Sequence, residues 1–210
     1  MSQFHHRLRS LYRIVRSRGV SEALQISLVN PLVGAWAVAD GTATVDGLTY
    51  AVEGAPVSVF TRGSIARGRH EREERALLER HLPTDADVVE LGAGIGYLTA
   101  LAADRTNGSV VAVETNPDLI PILERTRAMN VLEYAIEHAA YAPDADEVDF
   151  PVATNYKFSS VHKRSARTVS VPATSLEALA RRHGIEECVL VVDVEGTEID
   201  MVRDELPHPR

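Results

Sequence analysis

Cysteine is all but absent from this chain. Cys188 is the single one in 210 residues, which rules out a disulfide within the chain and any zinc site built from several cysteines. No metal centre is expected, and a reducing compartment, the cytoplasm, is the expected location. Long apolar runs are missing too. The best candidate, 26–39, is interrupted at Asn30-Pro31, and its 14 residues fall short of the ~20 that a bilayer-spanning helix needs. Positive charge is in short supply: 22 Lys and Arg stand against 30 Asp and Glu, a net charge of -8. Five of those cations, Arg7, Arg9, Arg13, Arg16 and Arg18, fall within residues 1–21, which hold no acid, so the remainder carries 17 against 30, or -13. An acidic body of that kind argues against a general nucleic-acid-binding surface. Repeats and low-complexity tracts are absent as well. With 45% hydrophobic and 25% charged residues, the economical reading is one globular domain with an N-terminal arm.

What is present centres on Val88-Val89-Glu90-Leu91-Gly92-Ala93-Gly94-Ile95-Gly96-Tyr97, an apolar strand, a glycine-rich turn and the start of an amphipathic helix. Gly92, Gly94 and Gly96 can take backbone angles closed to other residues and let a ligand approach the main chain. The helix beginning near Tyr97 offers unpaired N–H groups at its positive end. The spacing is E-x-G-x-G-x-G, where a dinucleotide fold usually reads G-x-G-x-x-G. The next strand, 109–113, ends in Glu114, about 20 residues on, the distance at which a strand-end carboxylate can bind two ribose hydroxyls. Together these features resemble the S-adenosylmethionine site of class I methyltransferases.

Around this motif, strands and helices alternate: strand 87–91, helix 97–105, strand 109–114, helix 117–129, strand 134–139, and a last strand at 188–192. That order predicts an α/β, Rossmann-like, doubly wound and mainly parallel sheet. Residues 147–152 and 167–171 read as an additional strand pair flanking a polar loop, and 174–183 as a helix ended by Gly184. Upstream, Phe4, Leu8, Leu11, Tyr12 and Val15 recur at helical spacing with the arginines mainly opposite them. The pattern describes a basic amphipathic helix over 4–18, suited to packing on the domain, to a partner, or to peripheral contact with an anionic membrane face. Residues 42–45 and 48–52 around Asp46-Gly47 predict a β-hairpin, 56–60 a third short strand, and 69–82 a charged helix stopped by Pro83.

A second motif, Val189-Leu190-Val191-Val192-Asp193-Val194-Glu195-Gly196-Thr197-Glu198, sets a carboxylate at the carboxyl end of a buried strand. It lies on the same sheet edge as the glycine turn, where open α/β sheets bind ligands. Asp193 is expected to be partly desolvated, which raises a carboxylate's proton affinity toward that of a useful base. Asp193 or Glu195 equally suits a cap for the helix that follows. With Gly68-Arg69-His70-Glu71 and Glu74, Glu90 to Tyr97, Val113-Glu114-Thr115-Asn116-Pro117, Asn130 and Ala139-Ala140, this segment resembles the FkbM family of S-adenosylmethionine-dependent methyltransferases over about residues 68–206. His70 stands where that family commonly has Tyr.

The resemblance implies two parts: residues 1–67, an N-terminal helix and β-hairpin extension, and residues 68–210, a class I methyltransferase domain. By resemblance three more strands follow the D-V-E-G strand, so the domain is expected to be shortened at its carboxyl end. It implies S-adenosyl-L-methionine as cofactor, held by Glu71, Glu90, Gly92, Ala93, Gly94, Gly96, Tyr97, Glu114, Thr115, Asn116 and Ala140, with Asp193 and Glu195 catalytic. Glu71 and Glu74, three apart, either line that pocket or are solvated partners of neighbouring arginines. His138 and His162 have no spacing partner and read as structural or surface histidines. No N/D-P-P-Y/F motif follows the fourth strand and no Pro-Cys nucleophile is present, and a carboxylate there suits a hydroxyl acceptor; the resemblance implies that the hydroxyl belongs to a small molecule, sugar or glycan. Methylation of RNA or protein on the same fold, or a catalytically silent scaffold or membrane-associated binding module, are the alternatives.

Overall fold

The computed structural model describes residues 24–37, 40–54, 56–152 and 167–194. The amphipathic helix expected at 4–18, the polar loop with His162, Glu195, and the helix expected from Thr197 lie outside them. In chain order the described elements are a π turn (Gln25–Val29) running into α1 (Asn30–Ala37), then β1 (Thr42–Val45), β2 (Leu48–Ala51), α2 (Val59–Ala66), α3 (Arg72–His81), β3 (Asp87–Leu91), α4 (Tyr97–Arg105), β4 (Val110–Glu114), α5 (Ile120–Asn130), β5 (Ala135–His138), β6 (Ala140–Tyr141), β7 (Glu147–Val152), β8 (Arg167–Thr174), α6 (Leu176–His183) and β9 (Cys188–Val192).

Valine-rich runs with little polar alternation suit strands covered on both faces. Here β4 is buried along its whole length, and β3 is buried from Val88 onward. The four strands pair in parallel in the order β5-β4-β3-β9. The expected mainly parallel, doubly wound α/β sheet is therefore present, with β3 at its centre. At Ala139 the chain leaves this sheet: β5 pairs with β4, while β6 pairs with β8, which forms an antiparallel ladder with β7. The strand pair expected around 147–152 and 167–171 is this ladder.

The hairpin forms as expected, because Asp46 (φ 47) and Gly47 (φ 88) supply the two left-handed residues of a tight turn between Val45 and Leu48. Its outer strand is closed by side chains of α5. The Thr49 N–H donates to Asn130 Oδ1 (2.7 Å), Asn130 Nδ2 donates back to the Thr49 carbonyl (2.7 Å), and the Ala51 N–H donates to Thr126 Oγ1 (3.1 Å). Tyr50, Ala51 and Val52 share one buried cluster with Ile65, Ile95, Tyr97, Leu98, Leu101 and Leu119.

Two expectations are corrected. Residues 56–60 are not a strand: Ser58 accepts the Thr61 N–H (3.2 Å) and caps α2, so a local cap overrides the apolar alternation. Asn30-Pro31 does not break the apolar stretch either. The wider turn at Gln25–Val29, with the Asn30 N–H bonded to the Gln25 carbonyl, carries the helix through a residue that has no N–H to give. The helix is held by a close crossing with α2, where a Cβ at Gly34 would collide with the Val59 carbonyl and one at Gly63 with the Asn30 carbonyl.

Asn130→Ala should cost about 1–3 kcal/mol, because it strands both main-chain groups of Thr49 away from water. Denaturant unfolding of the variant checks this, and an unchanged midpoint would mean that solvent replaces the amide freely.

Candidate functional site

Because β3 has β4 on one side and β9 on the other, the chain leaves the centre of the sheet in opposite directions. The crevice at the carboxyl ends of β3 and β9 is the switch point where such sheets bind ligands. The glycine turn fills that point. Gly92 (φ 89) packs so closely on the end of β9 that a Cβ there would collide with the Asp193 carbonyl. The Gly92 and Ala93 N–H groups both donate to the Val113 carbonyl (2.9 and 3.0 Å), fastening the turn to β4. Gly96 (φ 81) precedes α4, and a Cβ there would collide with Leu123 of α5. The turn is thus a bare main-chain cradle at the amino end of α4, the arrangement that accepts a ligand against the backbone.

Glu114 closes the cradle from β4. Its carboxylate is buried, with Oε2 accepting the Gly94 N–H and Oε1 accepting the Asn116 N–H, both at 2.6 Å. Burial pushes its pKa up to about 7, against the pull of the N–H groups of Asn116, Gly94 and Thr115. Glu90, the acid of the glycine motif, is buried as well and accepts a hydrogen bond from the Thr99 hydroxyl. Burial pushes it up to about 8; Thr99 opposes the shift, and the charges of Glu71, Asp193 and Glu114 add to it. Three other carboxylates, those of Glu71, Asp193 and Glu114, therefore lie within electrostatic reach of Glu90.

Asp193 departs from expectation: it is exposed, its main-chain N–H donating to the Leu91 carbonyl (2.9 Å). The desolvation read from its apolar neighbours falls on Glu90 and Glu114 instead, because β9 is only partly buried while β3 and β4 are buried almost throughout. Glu71 and Glu74 are also not a pair on one helix face. α3 begins at Arg72, so Glu71 precedes it in a left-handed conformation (φ 43, ψ 44), with its carboxylate 3.0 Å from Nε2 of the buried His70. Glu74 is exposed.

The remaining expected residues divide by what they can offer. The Tyr97 ring is packed in the core between Tyr50 (4.7 Å between ring centroids) and His70 (4.9 Å), so it offers a ligand only main chain. The Thr115 hydroxyl donates to the Ala139 carbonyl (3.1 Å), and the Ala139 N–H donates to the Glu114 carbonyl (3.2 Å), bringing Ala140 to the same edge. Asn116 is buried; its Oδ1 accepts the Asp118 N–H (3.0 Å), while its Nδ2 has no partner among the described residues. An orphaned buried donor beside the Glu114 carboxylate suits a ligand that brings a hydrogen-bond acceptor to this edge. Exposed His138 has its Nε2 3.3 Å from the Thr115 carbonyl.

Two contributors went unread in the sequence. Thr99 stands among apolar residues of α4, and a lone hydroxyl there was the one available signal. Arg75 is buried on α3 and bonded to Tyr97 Oη (3.3 Å), Glu79 (3.0 Å) and Asp46 (2.7 Å). Its charge gave no hint of burial.

A family model, Methyltransferase FkbM domain, matches residues 90–206, more than half of the chain. No curated protein matches. Among solved structures the chain is similar to the Pyrococcus horikoshii protein PH0793 (19% identity, TM-score 0.36, 47% of this chain and 36% of that one). It is also similar to P. horikoshii TYW2 in complex with MeSAdo (14%, 0.35, 63% and 63%). A third is coclaurine N-methyltransferase bound to N-methylheliamine and SAH (17%, 0.31, 62% and 41%). The chain spans less than two thirds of the length of each.

Glu90 and Glu114 hold their protons to higher pH in the folded chain than the ordinary 4.5, so between 4.5 and about 8 the folded state binds more protons than the unfolded one. Their contribution to stability is complete below that window and is lost as pH rises through it. Glu90→Gln and Glu114→Gln are neutral throughout, so the Tm difference from wild type should move in favour of the variants between about pH 5 and 8. A difference that stays constant would mean that both side chains are already ionised in the folded chain.

Proposed function

The chain belongs to the FkbM family of methyltransferases, and from that premise we propose that it moves the methyl group of S-adenosylmethionine to a hydroxyl of a small molecule, sugar or glycan. Glu114 carries the reading. Its two oxygens are aligned by the Gly94 and Asn116 N–H groups, and each keeps a lone pair for one hydroxyl of a ribose. In this reading Gly92, Ala93, Gly94, Gly96 and the main chain of Tyr97 receive the cofactor. Thr115, Asn116 and Ala140 border its nucleoside, the Asn116 amide supplying a donor. Glu71 and Glu90 face its cationic part, where negative charge gains an attractive partner.

When bound, S-adenosylmethionine supplies an electrophilic methyl group on a sulfonium. The chain's own task is then to hold the acceptor in line and remove its proton. Asp193, at the open end of β9, is reachable from solvent by an incoming acceptor. It orients the hydroxyl and takes its proton as the new carbon–oxygen bond forms, a role Glu195 shares two residues on. Thr99 positions the Glu90 carboxyl and does not touch the acceptor.

Calorimetry with S-adenosylmethionine, followed by a mass-spectrometric screen for methyl gain among polyols, sugars and phenols, tests the reading. A folded chain that binds no cofactor would be a scaffold. Glu114→Ala should weaken cofactor binding about 10-fold to over 100-fold, since charge-assisted bonds to two hydroxyls are lost. Unchanged affinity removes the assignment, and a thermal melt separates lost binding from lost folding.

Because hydroxyl donors and a cation both favour the ionised carboxylate, wild-type affinity should rise with pH through about 7. Binding below that pH should release protons, visible as a dependence of the calorimetric heat on buffer. Asp193→Asn should lower turnover about 100-fold to 10,000-fold while leaving cofactor affinity in place. Loss of both in step would make Asp193 a cofactor ligand.

A further inference from the structure

Eight large apolar side chains are exposed among the described residues, and six of them sit on two adjoining helices: Leu24, Leu28, Leu32 and Trp36 on the segment leading through α1, and Val59 and Phe60 at the start of α2. Trp36 is 82% exposed. The first four are spaced four apart. On an α-helix four residues overshoot a 3.6-residue turn, so such a series drifts around the axis. The wider π turn at Gln25–Val29 undershoots and turns the drift back, keeping a stripe on one side.

The opposite side is committed to the domain. Gly34 packs on the main chain of α2, buried Asn30 accepts from Arg67 (2.8 Å), and Gln25 accepts from Arg67 (3.3 Å) and Arg69. Residues 24–37 carry no charged side chain. A continuous apolar face of this kind marks an interaction surface.

We propose that this face docks on an anionic lipid bilayer, lying in the plane of its interface. The 14 residues of 24–37 rise about 21 Å, well short of the ~30 Å hydrocarbon core, and no helix among the described residues is long and apolar enough to cross a membrane. The chain running into the stripe brings Arg7, Arg9, Arg13, Arg16 and Arg18 with no acid through residue 21, while the remainder is at -13. This end complements a negatively charged surface. An apolar stripe and an adjoining polybasic segment are the two signals that stable peripheral binding requires, and a Trp at the end of the stripe suits the boundary between water and lipid. This surface goes beyond methyl transfer and stands or falls without it.

Trp36 is the only tryptophan in the chain, so its fluorescence reports on this face alone. The full chain is mixed with vesicles of phosphatidylcholine containing about one third phosphatidylserine, and with pure phosphatidylcholine vesicles. Flotation with the anionic vesicles and a blue shift of Trp36 emission, both weakened by salt, are expected. Leu28→Glu with Leu32→Glu should weaken partition about tenfold or more with far-ultraviolet circular dichroism and S-adenosylmethionine affinity unchanged, and Arg13→Gln with Arg16→Gln and Arg18→Gln should do the same without touching the stripe.

No flotation and unaltered emission would overturn the proposal, and equal binding to neutral vesicles would remove its anionic part. Emission already blue-shifted without lipid would overturn it too. If that shift is lost on dilution together with a dimer in sedimentation, a second copy covers the face. If it is independent of concentration, the chain's own residues do.

Discussion

The bridge made by the buried Glu114 carboxylate is the constraint on which the site depends. One oxygen holds the Gly94 N–H of the turn after β3, and the other holds the Asn116 N–H beyond β4. A carboxylate taken out of water is costly, and two short N–H donors offset part of that cost, which is why its proton affinity rises only to near neutrality. Gly94 can aim its N–H inward because it adopts φ 58. Turn conformation, strand pairing and the ionisation of one side chain are therefore a single coupled arrangement, set before any ligand arrives.

Support for that arrangement comes from the hairpin. Tyr97 follows the last glycine, and its ring lies between Tyr50 of β2 and His70, with the buried Arg75 guanidinium donating to its hydroxyl. Arg75 is tolerated there because Glu79 and Asp46 pair with it; an unpaired buried cation would be strongly destabilising. Asn130 and Thr126 satisfy the outer edge of β2 as a neighbouring strand would. The first turn of α4 is thereby held from the hairpin side while Glu114 holds the glycine turn from the sheet side.

Charge is sorted along the chain. Arginine gathers near the amino terminus, and four carboxylates gather at the switch point. The carboxylate cluster suits a cationic cofactor, and the arginine segment an anionic surface. Between them in the sequence comes an apolar, uncharged helix, its inner face tied to Arg67 and Arg69 just before His70 and Glu71.

Local chemistry by itself determined the central elements. Strand β3, helix α4 and strand β9 begin and end where apolar runs, glycines and capping positions put them, because those signals act within a few residues. The two Gly-rich and acidic motifs, the hairpin turn at Asp46-Gly47 and the family were legible for the same reason. Burial was not. Asp193 follows four apolar residues yet is exposed, whereas Glu90 and Glu114, of the same charge, are buried. Ser58 capped a helix where alternation suggested a strand, and Glu71 lay outside the helix that would have paired it with Glu74. Arg75 and Thr99 gained their roles only when the hairpin, α3, α4 and β3 met. Whether a polar group is solvated, paired or desolvated depends on which remote segments cover it, and that is a property of the tertiary structure alone.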